Sequence, residues 1–300
     1  MWVTGVDENG MGPMLGPLVA TAVTLEVRRY DRARLRRRGL DLGIGDSKQT
    51  SAFGKMAHAE SLALALAERF LDRVPTDADA LLEAFSLEGL LALRGRCPDD
   101  SSRAQCWSEP IALPAFGGDL AEGRALLERL EGRALKVRRV RSAVLCAGAL
   151  NEAVDRGSTK VREDLRLFEE LILDARAAAP SELEAICGQV SGIRRYPEYF
   201  SHFRAPEELE SGGYAVAGVG EVRFEVKADD RHLPVGLASM VGKLVRELAM
   251  HRLSAFYRRH DSALERVSGY HDPRTRRFAD ESGDLRRRLK VAPDCFQRRC

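Results

Sequence analysis

No stretch of about 18 uninterrupted apolar residues occurs in this 300-residue chain, which excludes a membrane-spanning helix. The opening residues, MWVTGVDENG, carry neither a basic n-region nor an apolar h-region, so a secretory signal is not expected. The six cysteines include no C-x-x-C pair, and none stands at zinc-finger spacing to a histidine; free, packed thiols in a reducing cytoplasm are the expectation. Lysine is scarce, seven residues against forty arginines, which reads first as codon bias in a GC-rich genome. Bulk charge is nearly absent as well. Forty-seven basic residues against 45 acidic ones leave +2, which excludes a polycation that binds nucleic acid by net charge.

What the chain does have is an ordinary capacity for a core, 44% apolar and 31% charged, enough for one large domain or a domain carrying an insertion. Two β-branched runs, Trp2–Val6 and Leu18–Leu25, flank a segment too dense in glycine and proline for a regular element. Residues 30–40 form a basic, exposed helix or loop, and helical spacing covers about 55–72. Residues 74–130 read as an excursion: one helix near 77–94, a proline-bearing loop, then a helix near 118–131. Strands are predicted at 135–145, 183–187 and 222–226, with helices at about 161–178 and 237–259 and a loop-rich tail with one short helix. Early strands followed by alternation with helices predict a mixed α/β sheet.

The chemistry-bearing residues cluster at predicted strand ends. Asp7-Glu8 opens the glycine-rich turn of Gly10 and Gly12; neighbouring carboxylates on a regular strand point to opposite faces, so they converge only where the strand gives way. Convergent acids beside bare glycine amides suit a hard divalent cation and a phosphate or sugar; an acidic turn between strands explains the same residues without function. A second acid, Asp229, follows the strand at 222–226. Beyond it Ser239, Lys243, Arg246 and Glu247 form one polar stripe of an amphipathic helix, with Met240, Val241, Leu244, Val245 and Leu248 opposite. Cys187 has no histidine partner and reads as a buried strand residue.

Four segments, in order, carry a resemblance. GVDENGMGPMLGPLVATAV resembles the opening of ribonuclease HII, Asp-Glu-Ala-Gly-Arg-Gly-Pro followed by an apolar strand; IGDSKQTS resembles its Asn-Asp-Ser-Lys motif; KADDRHLPVGLASMVGKLVRE resembles its Lys-Gly/Ala-Asp segment and following helix; SGYHDPRTRRF resembles its Lys-Gly-Tyr-x-Thr segment. The resemblance spans residues 5 to about 296, with 74–130 outside it. It implies a ribonuclease H-like α/β fold with a mixed five-stranded sheet flanked by helices, a domain at 1–260 interrupted by a helical insertion at 74–130, and a C-terminal extension at 261–300 on the substrate side. It also implies two-metal hydrolysis, with Mg²⁺ or Mn²⁺, of the RNA strand of an RNA–DNA hybrid or junction duplex, by a cytoplasmic monomer with no membrane partner. Asp7, Glu8 and Asp229 would be the catalytic metal ligands. Gly10 and Gly12 would read the 2′-hydroxyl, Tyr270 would stack on a sugar, and Lys48, Ser239, Lys243 and Arg246 would contact substrate or hold the carboxylates.

Two departures stand out. Met11 replaces the arginine of the Gly-Arg-Gly turn, removing a planar cationic anchor. Gly188, in AICGQVSGIRRY, occupies the place of the family's third acid. Glu184, four strand residues earlier and about 13 Å away, cannot replace it, Gln189 offers only a neutral oxygen, and Asp230 would need irregular backbone. Losing one of four carboxylates should weaken a metal site and slow hydrolysis. The alternative is a catalytically degenerate protein of the same fold that holds hybrid or structured nucleic acid without cutting it, and the insertion would also suit a docking role.

Overall fold

The β-branched runs at the start of the chain pair with each other. Trp2–Asn9 (β1) lies antiparallel to Leu18–Val27 (β2), with Asp7 opposite Thr21, and Leu135–Leu145 (β3) pairs antiparallel with β2. Leu183–Gly188 (β4) lies parallel to β1, with Val6 opposite Cys187. Glu207–Glu208 (β5), Tyr214–Val216 (β6) and Gly220–Glu225 (β7) complete a seven-stranded sheet in the order β3-β2-β1-β4-β7-β6-β5. The expected five strands are therefore joined by two short ones: glycines with positive φ at 212, 213 and 218 fold β5 and β6 back along β7. The computed structural model describes residues 1–45 and 55–299.

Among the described residues, six helices lie between β2 and β3: Arg32–Asp41 (α1), Ala57–Leu71 (α2), Ala78–Phe85 (α3), Leu90–Gly95 (α4), Asp100–Trp107 (α5) and Leu120–Leu130 (α6). The helix expected near 77–94 is thus two, broken where Gly89 takes φ +81°, and the proline-bearing loop contains a helix capped by Asp99. Ala147–Asp155 (α7) and Lys160–Ala178 (α8) precede β4. Ala228–Arg231 (α9) and Leu233–His260 (α10) follow β7, and the tail holds three short helices where one was expected: Pro273–Glu281 (α11), Gly283–Leu289 (α12) and Pro293–Phe296 (α13).

The sheet buries both faces. Val3 of β1 and Val19, Val23 and Leu25 of β2 pack against α10 and the insertion helices, while Val6 with Leu18, Ala20 and Ala22 packs against α8. Gly5 lets α10 lie directly on β1: a Cβ there would stand 2.2 Å from the backbone of Pro234 and Val235. The second half of α10, through Met250, Leu253, Phe256 and Tyr257, packs on Phe278, Leu285 and Phe296 of the tail. With the sheet on one side and the insertion and tail on the other, α10 is buried nearly all round, Ser239, Arg246 and Glu247 included. The polar stripe expected on this helix is therefore largely buried, with Lys243 its half-buried member.

Two buried carboxylates show what this protein does with an acid used for structure. Glu60 of α2 accepts hydrogen bonds from the backbone amides of Ala115, Phe116 and Gly118. Glu169 of α8 accepts from those of Ser201, His202 and Phe203. Each ties a loop to a helix with every charged oxygen satisfied. The five described cysteines are free, Cys187 fully buried, and no helix among the described residues is long and apolar enough to cross a membrane.

Candidate active site

Strand β1 stays regular through Asn9, so Asp7 and Glu8 leave it on opposite faces. Asp7 points toward α10, where the Ser239 hydroxyl donates to it. Burial, helped by the negative charges of Asp229 and Glu8, pushes its carboxyl up to about 8. Glu8 turns back on the glycine turn and accepts from the Met11 amide at 3.0 Å. Its carboxyl is also raised by burial, against the pull of that amide and of the Arg298, Arg246 and Lys243 charges. Asp229 is not at a strand end; it lies in the single turn α9, entered through Lys227 at φ +53°.

Among the described residues, no three Asp, Glu, His or Cys side chains are drawn together closely enough to ligate one ion. Asp7 and Glu8 leave β1 on opposite faces, while Asp229 and Glu8 both act as charged neighbours of Asp7.

Gly188 stands where the resemblance puts an acid. A Cβ on Gly188 would lie 2.6 Å from Asp7 Oδ1, so a side chain there would project directly at Asp7. A different carboxylate approaches from the other face. Asp164, on the first turns of α8, is fully buried, and neither of its oxygens has a hydrogen-bond partner. The charges that bear on it are those of Glu8 and then Asp7, both negative, and burial together with that repulsion holds its carboxyl well above the usual range. The same two aspartates, Asp7 and Asp164, act on Cys187 between them and raise its thiol, after burial.

The cationic side of the site is also rearranged. Arg246 is buried and tied to protein: its Nη2 donates to the Ser268 carbonyl at 3.0 Å and to Leu15 O at 3.3 Å, and its guanidinium lies 4.9 Å from the Tyr270 ring. It pins the glycine turn to the tail instead of facing solvent. Tyr270 itself remains 48% exposed. Lys243 is half-buried, and its charge favours the ionised forms of Asp7 and Glu8.

Arg298, near the end of the tail, enters the same turn. Its Nε donates to Gly16 O at 2.8 Å, its Nη1 to Gly10 O, and its amide to Met14 O at 3.0 Å. Gly10, at φ +104°, needs to be glycine, since a Cβ would meet Pro17 O at 2.8 Å and Arg246 Nε at 2.9 Å; Gly12 faces open space. Lys48 lies outside the described residues.

Asp164 and Arg298 are the two residues of the site that sequence reasoning passed over. Asp164 did leave a signal, because it shares the helix face of Phe168, Leu171, Ile172 and Ala175, all buried. An acid in an apolar stripe asks for a partner or a purpose. Arg298 left none, being one of many arginines in a basic tail.

The donor set suits a hard divalent cation in kind: Asp7, Glu8, Asp229 and Asp164 are all carboxylates, three of them with raised affinity for protons and one with both oxygens unpaired. The charges of Asp229 and Glu8 bear on Asp7, and those of Glu8 and Asp7 on Asp164.

No family model matches the chain. It is 32% identical over 126 residues to a ribonuclease HII of Magnetococcus marinus, covering 40% of this chain and 54% of that protein. To a ribonuclease HII of Nocardia farcinica it is 34% identical over 128 residues, covering 40% and 47%. The chain thus spans about half the length of the curated relatives it matches. Among solved structures, the ribonuclease HII of Archaeoglobus fulgidus in its PCNA complex matches with a TM-score of 0.51 at 20% identity, covering 100% of this chain and 95% of that one. A mutant form of Bst-RNase HIII matches at 0.50 with 17% identity, covering 98% and 65%. These likenesses establish a ribonuclease H-type α/β fold.

Proposed function

Taking as premise a ribonuclease HII-like chain with a ribonuclease H-type fold, we propose that it is a divalent-cation-dependent endoribonuclease that cuts the RNA strand of RNA–DNA hybrids. The observation that supports this reading is the buried Asp7 at the end of β1, with Asp229 and Glu8 as charged neighbours and Lys243 acting on both Asp7 and Glu8. Asp7, Glu8 and Asp229 are the acids that would hold the cation, Mg²⁺ or Mn²⁺. When bound, that cation supplies Lewis acidity and charge stabilisation for phosphodiester hydrolysis.

The chain's own residues do the rest. Ser239 fixes the Asp7 side chain by its hydrogen bond, so the carboxylate spends little entropy on ordering. Arg246 and Arg298 hold the carbonyls of Leu15, Gly16 and Gly10, which keeps the turn open at Gly12 for a backbone approach to a ribose hydroxyl, the group that distinguishes RNA from DNA. The exposed face of Tyr270, backed by Arg246, offers a platform for a sugar or base. The domain from 1 to 260 carries these acids, and the extension from 261 supplies Tyr270 and Arg298 to the same side.

The test is incubation of the purified protein with a labelled RNA–DNA hybrid and Mg²⁺ or Mn²⁺. Wild type is expected to cut the RNA strand, and Asp7→Asn to lose at least about a hundredfold in rate. Equal cutting by both would overturn the assignment of Asp7. A second reading, binding without cutting, draws on Gly188 and on the absence of a gathered group of three acids among the described residues. It predicts that wild type binds hybrid at low salt and leaves it intact, and that only Gly188→Asp cuts.

A further inference from the structure

The arginines of this chain are unevenly matched with acids. In the sheet and its covering helices they meet carboxylates: Arg139 pairs with Asp174, Arg124 with Glu68, and Arg166 with both Glu163 and Glu170. Residues 28–38 hold seven arginines and a single acid, Asp31, which caps α1 by accepting from the Arg34 amide. No carboxylate among the described residues pairs with Arg32, Arg34, Arg36, Arg37 or Arg38. Arg36 and Arg38 donate to backbone carbonyls, of Asp230 and of Arg129 and Glu131. A block of like charge repels itself and ordinarily frays, yet this one is a helix fixed to the protein. Leu35 is buried, and Gly39 lies so close to α10 that a Cβ there would stand 3.0 Å from Leu233 Cδ1. Just before the helix, the Tyr30 hydroxyl bonds His232 Nδ1 at 2.7 Å, with the two rings parallel.

Between α1 and the last residue of α9 opens a cleft of about 690 Å³, walled by Arg32, Arg36, Arg37 and Arg231, with Ala33 and Leu40 as its apolar lining. All four arginines are exposed. Arg36 Nε donates to Asp230 O at 2.8 Å, which fixes this wall to the turn that carries Asp229. We propose that the cleft is a phosphate track, in which Arg32, Arg37 and Arg231 hold the sugar–phosphate backbone of a duplex flanking the cut site while Arg36 positions the wall. Guanidinium forks take phosphate oxygens in pairs, and charges set on two elements suit a row of phosphates better than a single small anion. The same features disfavour a lipid surface. Leu35 is used inside the protein, and Leu40 alone among the large apolar side chains of α1 is left exposed to enter a bilayer. The inference rests on the nucleic-acid reading above and adds to it a binding surface apart from the acids.

Binding of a labelled RNA–DNA hybrid by the full chain, in a chelator so that nothing is cut, tests it by fluorescence anisotropy across a range of salt. Wild type is compared with the triple variant Arg32→Gln, Arg37→Gln, Arg231→Gln and with its counterpart carrying lysine at the same three positions, with melting curves for each. The glutamine variant is expected to lose at least about tenfold in affinity at low salt. Its plot of log affinity against log salt should be shallower by about 2 to 3, near one per phosphate contact removed. The lysine variant is expected to keep the wild-type slope, and all three proteins to melt alike. If wild type binds hybrid and the glutamine variant matches it in affinity, or loses affinity with an unchanged slope, the cleft holds no phosphates and this inference fails alone. If wild type binds polyglutamate, or vesicles of phosphatidylcholine and phosphatidylserine, as tightly as hybrid, the cleft is a general polyanion site and the inference is likewise overturned. If wild type binds no hybrid at low salt, the nucleic-acid reading fails first and takes this inference with it.

Discussion

Two acids on one helix lead opposite lives. Glu169 and Asp164 both lie on α8 and are both shut away from solvent. Around Glu169 the chain supplies three amides from the 201–203 loop; around Asp164 it supplies two more acids. The first arrangement exchanges water for stronger, charge-assisted bonds and holds the loop. The second gives up water and receives nothing, a pattern that stability alone does not explain. Burial by itself therefore says little about the role of a carboxylate in this molecule; what matters is what faces it.

That contrast can be broken by mutation. Glu169→Ala should have the largest effect, since it strands three buried amides: a loss of at least about 3 kcal/mol in denaturant unfolding, with Glu60→Ala behaving alike. Asp164→Leu should move the other way, gaining about 1–2 kcal/mol in the metal-free protein as an unpaired buried acid gives way to an apolar side chain. A loss as large as that of Glu169→Ala would mean that Asp164 has a structural partner and that the contrast is false. The smallest effect extends the idea to a cation. His251 on α10 has an Nδ1 without a partner, packs 5.9 Å from the Phe116 ring, and is held down to about 4 by burial and by the charges of Arg266 and Arg258. The unfolded chain protonates this group near its ordinary value while the folded chain resists. Its share of stability is therefore complete above that value and is lost as pH falls toward 4, on the order of 1 kcal/mol after solvent screening. His251→Gln should flatten that part of the pH–stability curve.

Much of this was legible in the residues. The strand pair at 2–27, the helix of 160–178 and the long α10 follow from β-branched runs and helical spacing. Where the reading went astray, a tertiary contact decided the outcome. That the polar stripe of α10 would be buried could not be read from the helix itself, because Phe278 and Phe296 carry no local mark of where they will pack. The first strand was read as ending at Val6, three residues sooner than the pairing of Glu8 and Asn9 with Ala20 and Val19 allows. Asp164 sat inside an apolar periodicity and was passed over as a helix residue, although that misplacement was its signal.

The grip of Arg298 on Gly10 and Gly16 spans 288 and 282 positions of the chain. Contacts that distant form late, because the chain must close its longest loop before either bond exists. The sheet and α10 can assemble from their own neighbours, but the turn carrying Gly10 and Gly12 takes its shape only after the segment bearing Arg298 has docked. On the proposed reading, a chain in which Arg298 has not yet docked would have no formed turn to offer a ribose.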